Sequence, residues 1–471
     1  MSTEVTFRDV GLVEDWEAPR PRRTAPPTVR EMFRNAARNT IGDFTEDSYR
    51  IHPGGRASRI ALRRLLTAND PAVFAQVLRD RTPRFAAKAP QFRNALKRVL
   101  GDALVLSDTA ASEARRRVVG VMLHPRRVDT VAPLLEGLAR AHAKAWAAAA
   151  AQGCEIDLAH EAGAFTVEAA AAALLDRPLG AARAGRIADL AHELAGYANV
   201  RDAATMFRVP QWVPRPQRRA ARPGARRLLR LLDGYVDELE AARRPGDPYD
   251  RLCSALDVDG RAGRRARRDE VAGLLLTGHD TTANVLSWVL LLLAMSPRVS
   301  ARLQEELDRV LAGRAVAAAD LPRLPYLRNV LLETLRLYPP AASITRQARE
   351  DAPFGDHVAR RGDILLLIPW QTHRSPDRWA LPDHFIPERF DPAIGGAPPR
   401  DVFIPFSAGP RRCPAEAFAL LEMAVMVAGL LARFDIRLAP GIEPQPEAPF
   451  TQRPAAPVRV VVAPRTGRAT A

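Results

Sequence analysis

Along most of this chain apolar residues recur at intervals of three and four, the period of helices that turn one face to a core. The spacing predicts helices around Ile60–Leu66, Ala72–Leu78, Val128–Ala149, Leu158–Leu175, Ala182–Leu194 and Leu228–Leu239. A long helix is expected from Arg268 to Met295, followed by Ser300–Leu311, Leu327–Leu337 and Glu416–Phe434. Asp269 and Glu270 suit the positive start of the long helix, and Pro297 stops it. Runs that read as strands are few, with Asp363–Ile368 and Val458–Val462 the best. The pattern describes an α-rich architecture with small sheets attached.

With 47% of residues hydrophobic, the chain has enough apolar surface for a substantial core. The apolar runs are nevertheless too short to span a bilayer. The nearest, Val285–Met295, extends upstream into His279 and Asp280. The start, Met1-Ser-Thr-Glu4, lacks the basic region and apolar run of a secretory signal. The Pro- and Arg-rich stretch at 18–27 reads as part of an extended N-terminal tail covering residues 1–30. Three cysteines without pairing logic fit a reducing compartment, so a soluble, cytoplasmic protein is expected.

The net charge of +15 is almost wholly arginine, since Lys88, Lys97 and Lys144 are the only lysines. These arginines are scattered, without aromatic–basic interleaving or a groove-reading motif, so no nucleic-acid partner is expected. Local clusters at Arg115-Arg116-Arg117, Arg126-Arg127 and Arg411-Arg412 read either as a docking patch for an acidic protein or as a solvated face.

One stretch carries chemistry, Phe406-Ser-Ala-Gly409-Pro-Arg411-Arg412-Cys413-Pro414-Ala415. It puts a single cysteine on a glycine-containing loop directly ahead of an apolar helix. The helix dipole and two guanidinium groups there favour the thiolate. The other cysteines, Cys154 and Cys253, are far away in sequence, which argues against zinc or an iron–sulfur cluster. One cysteine suffices for the axial ligation of haem iron; the alternative is a buried structural thiol. Gly409 permits a turn that a Cβ would obstruct, and Pro414 suits the first helical position.

This decapeptide resembles the haem-binding signature of the cytochromes P450, Phe-x-x-Gly-x-Arg-x-Cys-x-Gly. Phe406, Gly409, Arg411 and Cys413 match, and Ala415 replaces the last glycine. The resemblance covers roughly residues 31 to 465. It implies a mainly α cytochrome P450 fold, a single large helical domain over 31–471 with small β-sheets. It further implies haem b with Cys413 as axial ligand, Phe406 over the sulfur's side of the haem, and Arg411 reaching a propionate. Arg346, after Tyr338-Pro339-Pro340, and Arg116 stand where the family carries further propionate arginines. Ser112 replaces the aromatic or histidine residue that precedes Arg116 in the family pattern.

Thr277-Gly278-His279-Asp280-Thr281-Thr282 places polar groups inside the long apolar helix. Thr277 and Thr281 share a face, and each hydroxyl can bond back one turn, bending the helix and opening a polar groove. The stretch reads either as such a bend alone or as a reactive site. It resembles the family's oxygen-activation motif, which makes Asp280 the acid that feeds protons inward and Thr281 the alcohol of the oxygen pocket. Thr277 stands where the family has alanine or glycine and adds a hydroxyl near that pocket. Glu333 and Arg336 lie three apart in an apolar setting, hence on one buried helical face. They match the family's Glu-x-x-Arg motif, with Arg389 as third member of a structural triad.

The function implied is a monooxygenase of the soluble bacterial type, which splits O2 and oxidises a lipophilic molecule of terpenoid, fatty-acyl or polyketide-like kind. Without a flavin or iron–sulfur domain, NAD(P)H electrons are expected through a ferredoxin or flavodoxin and its reductase. Two rivals share the haem: a peroxide-dependent oxidase and a non-catalytic sensor. Family topology puts Phe85, Phe92, Tyr197, Met206, Phe207, Trp212, Ile344 and Phe450 in recognition segments, where aromatic residues serve either pocket or core.

Overall fold

The computed structural model describes residues 7–8, 11–21, 28, 45–60, 63–107, 111–197, 219–256, 258, 260–395, 401–448 and 450–465. Among these, the helices that frame the molecule are α1 (Pro71–Leu78), α2 (Pro90–Leu100), α3 (Ala111–Met122), α4 (Pro125–Gln152), α5 (Leu158–Leu175) and α6 (Ala181–Tyr197). They continue with α7 (Arg222–Ala241), α8 (Pro248–Leu256), α9 (Gly260–Met295), α10 (Pro297–Leu311), α11 (Pro325–Leu337) and α12 (Glu416–Leu431). Strands β1 (Arg56–Ile60), β2 (Arg63–Ala68), β4 (Ile344–Gln347) and β7 (Ile364–Leu367) form a sheet in the order β1-β2-β7-β4. Within it β2 and β7 run parallel, with Leu65 opposite Ile364. A three-stranded sheet joins β3 (Ile156–Asp157), β11 (Arg459–Pro464) and β8 (Phe434–Leu438). Two small ribbons pair β5 (Ala352–Phe354) with β6 (His357–Ala359), and β9 (Pro446–Glu447) with β10 (Arg453–Pro454).

Helix α9 is the axis of the core. From Val271 to Leu293 nearly every side chain on it is buried, and α5, α11 and α12 pack around it. Trp288 stacks on Tyr338 with ring centroids 3.6 Å apart. A second apolar cluster lies between α1 and the four-stranded sheet and includes Leu66, Phe74, Phe354, Leu365 and Ile404.

Three expectations need correction. Ile60 and Arg63–Leu66 are not helical: they belong to the antiparallel strands β1 and β2, the latter held in the sheet by pairing with β7, a partner about 300 residues away that local spacing cannot reveal. The long helix starts at Gly260, not Arg268, because its first turns are polar and exposed and carry no apolar period. Asp269 and Glu270 therefore sit inside it. Glu270 accepts hydrogen bonds from the Leu104 amide (3.0 Å) and the Arg115 guanidinium (2.7 Å), and a Cβ on Gly101 would strike the Asp269 carboxylate. The last helix stops at Leu431, and Phe434 opens β8.

Residues 11–21 carry no helix or strand and are strapped to the body. Ala18 donates to the Asp383 carbonyl at 2.6 Å, Arg20 pairs with the Asp383 carboxylate at 2.8 Å, and Tyr338 donates to the Pro19 carbonyl at 3.0 Å. Glu14 accepts from the Arg298 amide at 3.1 Å and from the Ser296 hydroxyl, at the start of α10. Among the described residues no single helix is long and apolar enough to cross a membrane.

Candidate active site

The loop from Ile404 to Cys413 is folded by its own main chain. Ser407 donates to the Ile404 carbonyl (3.0 Å), Arg412 to Gly409 (3.0 Å), and Cys413 back to Phe406 (2.9 Å). Gly409 has φ +67°, and a Cβ there would lie 1.9 Å from the Leu78 carbonyl oxygen at the end of α1. No other residue fits that seat. Helix α12 begins at Glu416, so Pro414 lies in the turn before it, short of the first helical position expected for it. Cys413 is half-buried.

The expected pull of neighbouring guanidiniums toward the thiolate is present at Cys413 but is outweighed. Burial pushes the Cys413 thiol above its ordinary range, and Glu416 pushes the same way. The Ala415 amide, Arg116 and Arg412 only partly offset this. A thiol in such a place ionises when a cation takes the proton's position, as metal binding does.

Two arginines converge beside the thiol. Arg116 of α3 donates to the Arg412 carbonyl at 2.9 Å, and Arg411 donates to the Ser107 carbonyl at 3.3 Å. Burial and the neighbouring Arg411 charge lower the Arg116 pKa, while Cys413 raises it. Among the described residues no carboxylate pairs with Arg116. Arg116, partly desolvated beside a single sulfur, calls for an anionic group on a metal-bearing ligand, and a propionate of a haem answers that description. The residues present thus fit the group. Arg346 is buried on β4, with its guanidinium donating to the Thr345 carbonyl at 3.0 Å. The arginine run on α3 is not one patch. Arg115 is buried against Glu270, Arg116 faces the loop, and Arg117 is exposed. Of the other arginines read as a patch, the side chains of Arg126 and Arg127 lie outside the described residues, as does that of Ser112.

Glu333, Arg336 and Arg389 come together. Arg336 grips Glu333 with two hydrogen bonds (2.7 and 2.8 Å) and Arg389 reaches it at 3.1 Å. Arg336 also donates to the carbonyls of His373 (2.8 Å), Pro382 (2.7 Å) and His384 (3.1 Å), so this fully buried cation is well satisfied. Burial lowers the Arg389 pKa to about 10. His373 carries the link onward: its ring nitrogen accepts the Ile404 amide at 3.1 Å, where the cysteine loop begins. Burial holds that imidazole neutral, its pKa lowered to about 3. The sequence offered no sign of this role.

On α9 both threonines bond backwards, Thr277 to the Gly273 carbonyl (2.6 Å) and Thr281 to the Thr277 carbonyl (3.0 Å). The helix nevertheless stays continuous from Gly260 to Met295. Asp280 is not hydrogen-bonded to Thr281. Thr451 donates to its carboxylate at 2.5 Å, and Asn284, one turn along α9, reaches Thr451 at 2.9 Å and Asp280 at 3.5 Å. Burial raises the Asp280 pKa, opposed by Thr451, Arg453 and Asn284. The carboxyl lines a cavity of about 250 Å³ that also includes His160, His192, His279, Glu447 and Arg453. His279 bonds Thr166 at 2.9 Å and is held neutral by burial, its pKa lowered to about 3. Behind α9, the buried Glu422 of α12 is pushed well above the ordinary carboxylate range by burial, with Thr282 as its hydrogen-bond partner. Glu422 too escaped the sequence reading, because one acid in an apolar helix carries no spacing signal.

Phe92 and Phe450 meet, ring centroids 5.3 Å apart. Phe85 and Ile344 pack into the second apolar cluster, and Tyr197 is exposed at the end of α6. Met206, Phe207 and Trp212 lie outside the described residues.

Comparison with known proteins agrees with this arrangement. A chain named Cyclooctatin synthase, from Streptomyces melanosporofaciens, is 32% identical over 380 residues, covering 78% of this chain and 80% of its own. Protein LUTEIN DEFICIENT 5, chloroplastic, from Arabidopsis thaliana is 27% identical, covering 80% of this chain and 66% of its own. A crystal structure of a cytochrome P450 superposes with a TM-score of 0.71 at 22% identity, covering 88% of this chain and 96% of that one. The family model described as Cytochrome P450 matches residues 58–461. With the fold, the cysteine loop and these matches in agreement, the chain belongs to the cytochrome P450 family and is a haem-thiolate monooxygenase.

Proposed function

We propose that residues 31–471 form one haem domain in which Cys413 is the axial ligand and Arg116, Arg411 and Arg346 receive the propionates. The observation that carries this reading is the desolvated thiol beside the converging guanidiniums of Arg116 and Arg411. When bound, the haem supplies dioxygen activation, to which the thiolate lends electron density. The chain's own residues do the rest. Gly409 and Phe406 fix the sulfur's loop, and the Glu333–Arg336–Arg389 group holds that loop through His373. Thr281, whose hydroxyl donates a hydrogen bond to the Thr277 carbonyl, presents its oxygen as an acceptor on the face of α9 that it shares with Thr277. Asp280 stands on the adjoining face as the acid that holds and moves protons between the cavity and Thr281.

The substrate is a lipophilic molecule of terpenoid, fatty-acyl or polyketide-like class. The aromatic pair Phe92–Phe450 supports an apolar chamber, and relatives named for cyclooctatin and lutein put the terpenoid class first. Electrons come from NAD(P)H through a ferredoxin or flavodoxin and its reductase.

The test is the absorbance of the reduced protein under carbon monoxide, where the thiolate-haem signature is expected. A Cys413→Ser variant keeping that signature would remove Cys413 as ligand. A panel of lipophilic compounds, scored by the spin-state shift of the haem, then ranks the substrate classes.

A further inference from the structure

Asp280 lines the cavity beside α9 and makes no hydrogen bond to Thr281, the alcohol it is read as serving. Its carboxyl is gripped from outside α9 by Thr451, and Asn284 braces the same hydroxyl. Thr451 follows Phe450, whose ring rests on Phe92 of α2. The residues after Thr451 are pinned. The Gln452 amide donates to the Pro340 carbonyl at 2.9 Å, while Arg453 pairs with Glu447 at 2.7 Å and donates to the His192 carbonyl at 3.0 Å. A displacement of Phe450 is therefore absorbed at Phe450 and Thr451, not passed down the strand. Because a hydrogen bond weakens steeply with distance and angle, a shift of about 1 Å there would break the contact to Asp280.

We propose that Thr451 is a positioning residue, a latch that parks Asp280 toward the cavity until an apolar ligand displaces Phe450 from Phe92 and frees the acid. The latch deepens, and rests on, the reading of Asp280 as the proton-handling acid. It would tie proton supply to occupancy of the chamber. Without such a tie, the reduced protein passes two electrons and two protons to dioxygen and releases hydrogen peroxide with no substrate oxidised.

The test uses haem-loaded protein with its reductase and ferredoxin, comparing Thr451→Val, Thr451→Ser and Asp280→Asn. Thr451→Val keeps the shape and loses the hydroxyl, while Thr451→Ser keeps the hydroxyl. Two readouts apply. The first is affinity for a phenyl-substituted imidazole, followed by the haem absorbance shift with no turnover. In Thr451→Val it is expected to tighten about fivefold, the worth of one ordinary hydrogen bond that the ligand no longer has to break. The second is peroxide released without substrate, expected to rise several-fold in Thr451→Val, stay at the parent level in Thr451→Ser, and fall back in the Thr451→Val/Asp280→Asn pair. Unchanged affinity and unchanged peroxide in Thr451→Val overturn the latch. If Asp280→Asn alone leaves substrate turnover at the parent level, the acid assignment itself fails; if it impairs turnover while Thr451→Val is silent, only the latch does. Should Thr451→Val not load haem, Thr451→Ala carries the same two measurements.

Discussion

Gly409 has the least freedom of any residue in the site. Its positive φ and the Leu78 carbonyl together exclude any side chain. Gly409→Ala is expected to cost more than about 1 kcal/mol and to reduce haem loading. Thermal unfolding and the carbon monoxide spectrum check this, and a variant as stable and as well loaded as the parent would refute it. Glu422 gives a second residue-scale prediction. Its folded pKa is raised above the ordinary 4.5 by burial. Below that ordinary value both folded and unfolded chains are protonated, and no penalty arises. Above it the unfolded chain ionises while the folded one holds its proton, so stability falls by about 1.4 kcal/mol per pH unit until the folded pKa is passed. Glu422→Gln, which cannot ionise, is expected to gain on the parent as pH rises above about 4.5 in denaturant titrations. Parallel pH profiles for the two proteins would exclude the effect.

Among the elements, the tie between α3 and α9 carries the clearest cost. Arg115 and Glu270 are both buried, and the pair also holds the Asp102 carbonyl (2.9 Å) and the Leu104 amide. Arg115→Ala leaves a carboxylate buried without its cation, for which about 3–5 kcal/mol is expected. Urea unfolding measures it, and a loss below about 1 kcal/mol would show that the pair is dispensable. This tie also shows where the sequence stops being legible. Helices with a clear apolar stripe, such as α10 and α11, were readable from spacing, as were the cysteine loop and the Glu333–Arg336 pair, whose members sit within a few residues of one another. Helices α2 and α3 were missed because arginine and other polar residues interrupt their apolar period. The β1–β2 pair was misread because its partner strand β7 is remote. The same distance hid the hold of Thr451 on Asp280, 171 residues apart, and the bond from His373 to Ile404.

For the whole molecule, charge and the N-terminal strap both have consequences. A net charge of +15, with Arg117 and Arg412 exposed, would steer an acidic electron donor. Its reduction rate is expected to fall several-fold between about 0.05 M and about 0.5 M salt, as screening shortens the reach of the field. A rate indifferent to salt would argue against electrostatic steering. Removing residues 1–21 deletes Glu14 at the start of α10 and the buried Arg20–Asp383 pair. The shortened protein is expected to unfold several degrees lower, at about 2–4 °C per kcal/mol for a large domain. An unchanged midpoint would mean the strap is ornamental.

The seat of Gly409 on Leu78 has a corollary for anyone recombining such proteins. The decapeptide is not a portable cassette, since its glycine is fitted to main chain from the first helix and its entry to an imidazole from another segment. A chimera exchanging everything after Ile404 would carry the sulfur intact yet meet a foreign cushion beneath it. The crossover should succeed only where residues 71–79 travel with the graft.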